Sequence, residues 1–233
     1  MSEHRLTTLP RVVPAPADRP KVGAPSHPMR VVTREVAFDP GSWTSERARE
    51  VAGYFDALAP GWDERFHAAE TQVPLRDALA RGGSFAGRCV EIGAGTGRAT
   101  SALVEVFAHV VALDIADEML RRFAEPRASV VLGDASCLPF APRCADAVVL
   151  VNAFLFPSEV DRVLASDGVL IWVNTLAEDT PIHLPADDVV AALPGSWHAV
   201  TSDAGWGSWA VVRRGVSGGG DGDASRSNAS GAP

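Results

Sequence analysis

The chain has 233 residues, 46% of them hydrophobic and 21% charged, with a net charge of −8. This composition excludes a wholly disordered chain, and three cysteines, which cannot all pair, exclude a small disulfide scaffold. The acidic balance leaves no overall field to draw the molecule onto nucleic acid.

Residues 1–28 carry Pro10, Pro14, Pro16, Pro20, Pro25 and Pro28, too often for helix or central strand, and are expected to form a disordered Pro-rich leader. Residues 29–84 are expected to form an N-terminal helical lid. Within it, Ala48, Val51, Ala52, Phe55 and Leu58 fall at spacings of three and four, one stripe of a helix over 45–58 that Pro60-Gly61 ends. A second helix over 71–81 stops at Gly82-Gly83.

From 85 to 215 the texture changes. Short apolar runs at 89–92, 110–113, 129–132, 146–151 and 168–173 read as strands, and helices are predicted between them at 96–107, 117–123 and 157–165. Runs apolar on both faces suit buried parallel strands, and their alternation with helices predicts a doubly wound α/β sheet with helices on both faces. A helix over 185–193 and strands at 198–202 and 208–213, turned at Ala204-Gly205-Trp206-Gly207, end the body with an antiparallel pair. Residues 216–233, rich in Gly, Ser and Asp, are expected to form a disordered tail.

No run approaches the roughly 20 apolar residues of a membrane span, and the N-terminus lacks the apolar segment of a secretory signal. A reducing, cytoplasmic setting without a membrane partner follows as the expectation, with Cys89, Cys137 and Cys144 as small apolar residues.

The segment Glu91-Ile92-Gly93-Ala94-Gly95-Thr96-Gly97 lies where the first of these strands turns into a helix. Glycine there permits a sharp turn and close approach of a ligand to the main chain. The spacing is G-x-G-x-G, and Arg98 occupies the place where a dinucleotide fold has its third glycine, which disfavours a pyrophosphate. Glu91, two residues before the first glycine, repels a diphosphate and suits an ammonium or sulfonium ligand. Asp114 ends the next strand, placed to accept from both hydroxyls of a ribose. Asp134, in Gly133-Asp134-Ala135, is placed to accept from an adenine amino group, with Leu138, Pro139 and Phe140 as apolar packing.

With these pieces in order, the chain resembles a class I S-adenosylmethionine-dependent methyltransferase. VEIGAGTGRAT (90–100), VVALDIADEML (110–120) and GDASCLPF (133–140) carry the resemblance, RVLASDGVLIWV (162–173) extends it, and the last two strands complete a seven-stranded, Rossmann-like sheet. The resemblance implies S-adenosyl-L-methionine as cofactor, held by Glu91, Gly93, Ala94, Gly95, Gly97, Asp114, Ile115, Met119, Asp134, Ala135 and Asn152. YFDALAPGWDERF (54–66) resembles the lid of small-molecule methyltransferases, including quinone-ring C-methyltransferases, with Trp62 where Tyr is common. Asn152-Ala153-Phe154-Leu155-Phe156 is not the Asn/Asp-Pro-Pro-aromatic motif of amino-methylating enzymes, which argues against base methylation.

A small-molecule methyl acceptor is therefore expected beyond the last two central strands, against Trp62, Phe154, Phe156 and Asn174. If the acceptor is a hydroxyl, a general base is needed, and His183 and His67 are the candidates, with Tyr54 to orient the methyl group or the acceptor. No His/Cys/Asp cluster has metal-ligand spacing, so no metal is expected. A monomer or homodimer is anticipated. A nicotinamide oxidoreductase and a catalytically silent cofactor-binding scaffold are the alternatives.

Overall fold

Among the residues that the computed structural model describes, 5–18, 26–65 and 68–215, eight strands form one sheet. In chain order they are β1 (Arg5–Thr8), β2 (Arg88–Ile92), β3 (His109–Asp114), β4 (Ser129–Leu132), β5 (Ala145–Val151), β6 (Leu164–Asn174), β7 (Trp197–Ala204) and β8 (Gly207–Arg214). The order across the sheet is β1-β7-β8-β6-β5-β2-β3-β4. All neighbours are parallel except β8, which runs antiparallel to both β6 and β7. The winding reverses at β2, with β3 and β4 on one side of it and β5 and β6 on the other. Such a reversal opens a crevice at the carboxyl ends of the strands.

Eight α-helices are described: α1 (Met29–Phe38), α2 (Ser45–Leu58), α3 (Trp62–Arg65), α4 (Ala68–Arg81), α5 (Thr100–Leu103), α6 (Asp117–Leu120), α7 (Pro157–Val163) and α8 (Ala186–Ala192). One face of the sheet is covered by α1, α2, α7 and α8, whose Val36, Val51, Val160 and Val190 pack with Leu150 and Trp172. The other is covered by α4 and α5, whose Leu75 and Leu103 pack with Val149 and Ile171. Burial on both faces is why β5 is an unbroken run of Ala, Val and Leu after Asp146.

The helix over 45–58 forms as its apolar stripe predicts, opened by the Thr44 hydroxyl, which accepts from the Arg47 N–H at 3.2 Å. Two predicted helices are shorter. The helix expected over 96–107 is α-helical only at Thr100–Leu103, and the one expected over 117–123 only at Asp117–Leu120. Tighter i→i+3 bonds take over, as from the Phe123 N–H to the Leu120 carbonyl. The helix α4, expected in the lid, is a core element whose Leu75 and Ala78 are buried against the sheet.

The leader departs most from expectation. Residues 5–8 add an eighth strand to the expected seven, pairing in parallel with β7 from Arg5 opposite His198 to Thr8 opposite Thr201. The chain then runs on as a strap. The Leu9 N–H donates to the Thr201 carbonyl at 2.8 Å, the Gly205 N–H to the Val13 carbonyl at 3.1 Å, and the Trp206 indole N–H to the Pro16 carbonyl at 2.9 Å. Proline lacks an N–H but keeps its carbonyl, so a Pro-rich segment can still be held at a sheet edge by donors from the body. The expectation of disorder is thus corrected for residues 5–18. The tail over 216–233 lies outside the described residues. No helix among those described is long and apolar enough to cross a membrane.

Candidate active site

A cavity of about 860 Å³ opens at the carboxyl ends of β2, β3, β5 and β6. The glycine turn forms its floor. Gly93, Gly95 and Gly97 all have positive φ, at 73°, 56° and 84°, a region that L side chains rarely adopt. At Gly95 a Cβ would meet nothing within 4 Å, so the main chain there faces open cavity space. Gly97 serves another purpose. It does not line the cavity, and a Cβ on it would come within 2.7 Å of the Phe123 ring. Its expected place in the ligand site is therefore corrected: it lets the turn pack under Phe123.

Two carboxyl groups stand in the wall beside this turn without a cationic partner. Glu91 is 1% exposed, and burial pushes its carboxyl up to about 8, against a bond from the Thr100 hydroxyl at 2.5 Å that opposes the shift. Asp114 is also raised by burial, although the Gly95 and Ala116 N–H groups donate to its two oxygens at 2.7 and 2.8 Å. The Ile115 N–H also bonds this carboxylate, and with three donors on its four lone-pair sites one is left for a ligand donor. Ile115, Met119, Ala94 and Ala135 complete this half of the wall.

Asp134 lines the cavity too, but a residue that sequence reasoning missed already engages it. The Trp43 indole N–H reaches both of its oxygens, at 3.1 and 2.9 Å, while the Ser136 N–H holds one of them at 2.8 Å. Trp43 also sits edge-on to Phe156, with ring centroids 5.1 Å apart, and tilted against Phe154 at 5.8 Å. No local pattern marks Trp43, because its partners lie more than 90 residues away.

The lid is pinned to each of the first three strand ends. Trp43 binds Asp134 after β4; the Asp56 carboxylate accepts from the Glu118 N–H at 2.8 Å after β3; the Thr96 hydroxyl donates to Asp63 at 2.8 Å after β2. Arg98, half-buried, ties the glycine turn to α4: its guanidinium donates to the Thr71 hydroxyl at 3.1 Å, and its carbonyl accepts from the Gln72 amide at 2.6 Å.

On the side of β5, Phe154 and Phe156 line the cavity; Trp62 lines it from the lid, packed against Ala116 and Met119 after β3, and Tyr54 lines it while 41% exposed. Asn152 lines it as well, but its side chain is spent on Thr175, donating to the hydroxyl at 2.7 Å and accepting from the N–H at 2.9 Å. Its φ of 52° explains why asparagine stands there.

Two expected residues lie elsewhere. Asn174 is 1% exposed, accepting from the Trp172 indole at 3.1 Å and donating to the Ile182 carbonyl at 3.0 Å. It borders a separate cavity of about 370 Å³ together with His183. His183 is lowered to about 4 by burial and by Arg30, whose guanidinium lies 3.2 Å from its Nδ1. Side chains at successive positions point apart, and Ile182 takes the inward place that His183 was expected to fill. Neither can act on a ligand in the larger cavity. His67 lies outside the described residues. Asp18, His27 and Trp206 line the larger cavity and were not foreseen. No metal-binding group of His, Cys, Asp and Glu is present among the described residues.

A family model described as a methyltransferase domain matches residues 90–172, the stretch that supplies Glu91, the glycine turn, Asp114 and Asp134. Residues 90–172 are thus similar to a methyltransferase domain. The family is S-adenosylmethionine-dependent. The chain is 35% identical over 169 residues to a malonyl-[acyl-carrier protein] O-methyltransferase of Methylococcus capsulatus, covering 65% of this chain and 57% of the relative. It is 34% identical over 128 residues to a demethylmenaquinone methyltransferase of Thermobifida fusca, covering 50% and 54%. The chain thus spans little more than half the length of these relatives. A solved DhpI–SAH complex shares the fold of the methyltransferase domain at a TM-score of 0.57 and 20% identity, covering 72% of this chain and 97% of that one.

Proposed function

We propose that the protein transfers the methyl group of S-adenosylmethionine to a small, uncharged and largely apolar aromatic acceptor. The carrying observation is the make-up of the cavity wall: carboxyl groups without a cationic partner at Glu91 and Asp114 on one side, and the aromatic rings of Trp43, Phe154 and Phe156 on the other. The relatives named above act on a carboxyl-bearing acyl carrier in one case and a quinone precursor in the other. A wall holding Asp18, Glu91, Asp114 and Asp134, with Arg98 as the cation among its described residues, disfavours an acceptor that carries its own negative charge. The aromatic wall favours a ring.

The residues present fit the cofactor. Asp114, its carboxylate fixed by the backbone N–H groups of Gly95, Ile115 and Ala116, presents an oxygen to a hydroxyl; Glu91 faces an ammonium or sulfonium; and open space over Gly95 admits a ligand against the backbone. When bound, S-adenosylmethionine supplies an activated methyl group on a sulfonium. The protein aligns and shields. Trp43, Asp56 and Asp63 hold the lid to the three strand ends and keep water out of the crevice. Phe154 and Phe156, fixed against Trp43, restrict the acceptor to one plane. Tyr54 has a hydroxyl at the cavity wall to orient the acceptor.

The test is methyl transfer followed by mass spectrometry, with 2-naphthol, a hydroquinone, an aryl amine, benzoate and malonate as acceptors. Transfer to a neutral aryl acceptor is expected. Transfer confined to the two carboxylates would overturn the acceptor class, and transfer to none, with S-adenosylhomocysteine still bound, would favour a silent scaffold.

A further inference from the structure

We propose that His27 positions the methyl acceptor, donating a hydrogen bond from its Nε2–H to an oxygen of the acceptor. The inference rests on the transferase reading above and adds the group that recognises the acceptor's polar atom.

His27 follows the strap and lines the cavity. Its Nδ1 accepts from the Met29 N–H at 3.2 Å. A ring nitrogen that accepts a backbone N–H carries no proton, so the neutral ring bears its proton on Nε2. This bond therefore fixes the tautomer and leaves Nε2 as a donor. It also removes His27 from the role of general base, since the lone pair of Nδ1 is already taken.

Position puts that donor on the acceptor side. The Arg30 N–H donates to the His27 carbonyl at 3.0 Å, and the Arg30 guanidinium lies 3.2 Å from His183 in the segment after β6. His27 thus enters the cavity from the side of β6, where Phe154, Phe156 and Ile182 also line it. The supply of donors there is short. The side-chain N–H groups of Trp43, Gln72 and Trp206 go to Asp134, to Arg98 and Ser101, and to Pro16, and Asn152 donates to Thr175. Beside the Tyr54 hydroxyl, which is 41% exposed at the cavity edge, the His27 Nε2–H is the nitrogen donor at this wall with no partner among the described residues to occupy it. The other described histidines do not reach this place: His183 borders the smaller cavity, and His109 and His198 are exposed on strands.

The experiment compares the wild-type protein with His27→Phe and His27→Gln, using 2-naphthol as acceptor and S-adenosylhomocysteine as the cofactor-site probe. In the wild type, nitrogen-detected NMR of the histidine rings should show one imidazole in the Nε2–H tautomer whose Nε2 resonance moves on addition of 2-naphthol to the S-adenosylhomocysteine complex. His27→Phe should remove that signal and raise KM for 2-naphthol about tenfold, with kcat changed less than threefold and S-adenosylhomocysteine affinity unchanged. His27→Gln, which keeps an N–H near the Nε2 position, should recover part of the KM. An unchanged KM in His27→Phe, or an equal loss of S-adenosylhomocysteine affinity, overturns the role of His27 while leaving the transferase reading intact. A wild type that binds S-adenosylhomocysteine but methylates neither 2-naphthol nor any other acceptor overturns both.

Discussion

On the proposed reading, Glu91 should link cofactor binding to a proton. Its carboxyl is pushed up to about 8 by burial and by the neighbouring Asp114. At pH 7 it is then about nine-tenths protonated, and ionising it costs about 1.4 kcal/mol, one pH unit's worth. A ligand ammonium at this wall favours the carboxylate, so binding must expel the proton. S-adenosylhomocysteine should release close to one proton per site at pH 6, about 0.9 at pH 7 and about 0.5 at pH 8. Its Kd should fall about tenfold from pH 6 to 7 and about fivefold from pH 7 to 8. Titration calorimetry in phosphate and in Tris at the same pH reads the proton directly, because the two buffers differ in ionisation enthalpy. Glu91→Gln keeps an oxygen for the Thr100 hydroxyl and should abolish both the buffer dependence and the pH slope. A binding enthalpy indifferent to buffer at pH 7, with a flat Kd from pH 6 to 8, would refute the reasoning. The same shift has a consequence for the unliganded fold. A carboxyl raised above its unfolded value of 4.5 binds more protons folded than unfolded, so its contribution to stability falls as pH rises from about 4.5 to about 8.

The two inner glycines should respond differently to substitution. Gly97→Ala should lower stability by about 1–3 kcal/mol in urea unfolding, from backbone strain at positive φ, with added cost from the Phe123 ring. Gly95→Ala should cost nearer 1–2 kcal/mol of strain but weaken S-adenosylhomocysteine binding more, since its Cβ would stand in the open cavity. Equal effects on binding would contradict the separate roles. Trp43→Phe removes the indole bond to the Asp134 carboxylate while keeping a ring beside Phe154 and Phe156, and should lower the urea midpoint by about 1.5–3 kcal/mol of stability. Deleting residues 1–9 strips β1 from β7, and the freed edge should raise the tendency to aggregate, measured by light scattering on warming, as well as lowering the melting temperature.

The central strands were legible because each is buried on both faces, and β5 and the last half of β6 can be nothing else in an acidic, otherwise mixed sequence. The glycine turn, Glu91 and Asp114 were legible because a local backbone requirement and a fixed distance along one β-α-β unit determine them. Sequence by itself therefore determined which segments form the central strands and that Glu91, the glycine turn and Asp114 stand at the ends of two of them. What it left open depends on which way a side chain points and on what lies far along the chain. Asn174 ends β6 and His183 lies in the loop after it, yet both border another cavity: Asn174 is bonded to Trp172 and to the Ile182 carbonyl, and His183 stands beside Arg30. Gly97 belongs to the motif, yet Phe123 and not a ligand is what it makes room for. The prolines of the leader disfavour helix and central strand locally, which is why disorder is the expectation from sequence. Only the tertiary structure decided otherwise, because the donors that hold Pro10 and Pro16 come from Arg81 and Trp206, and no local pattern carries that information. His27, ahead of α1, likewise reaches the cavity from a segment whose local sequence gave no reason to expect it there, because a cavity wall is assembled from residues far apart along the chain.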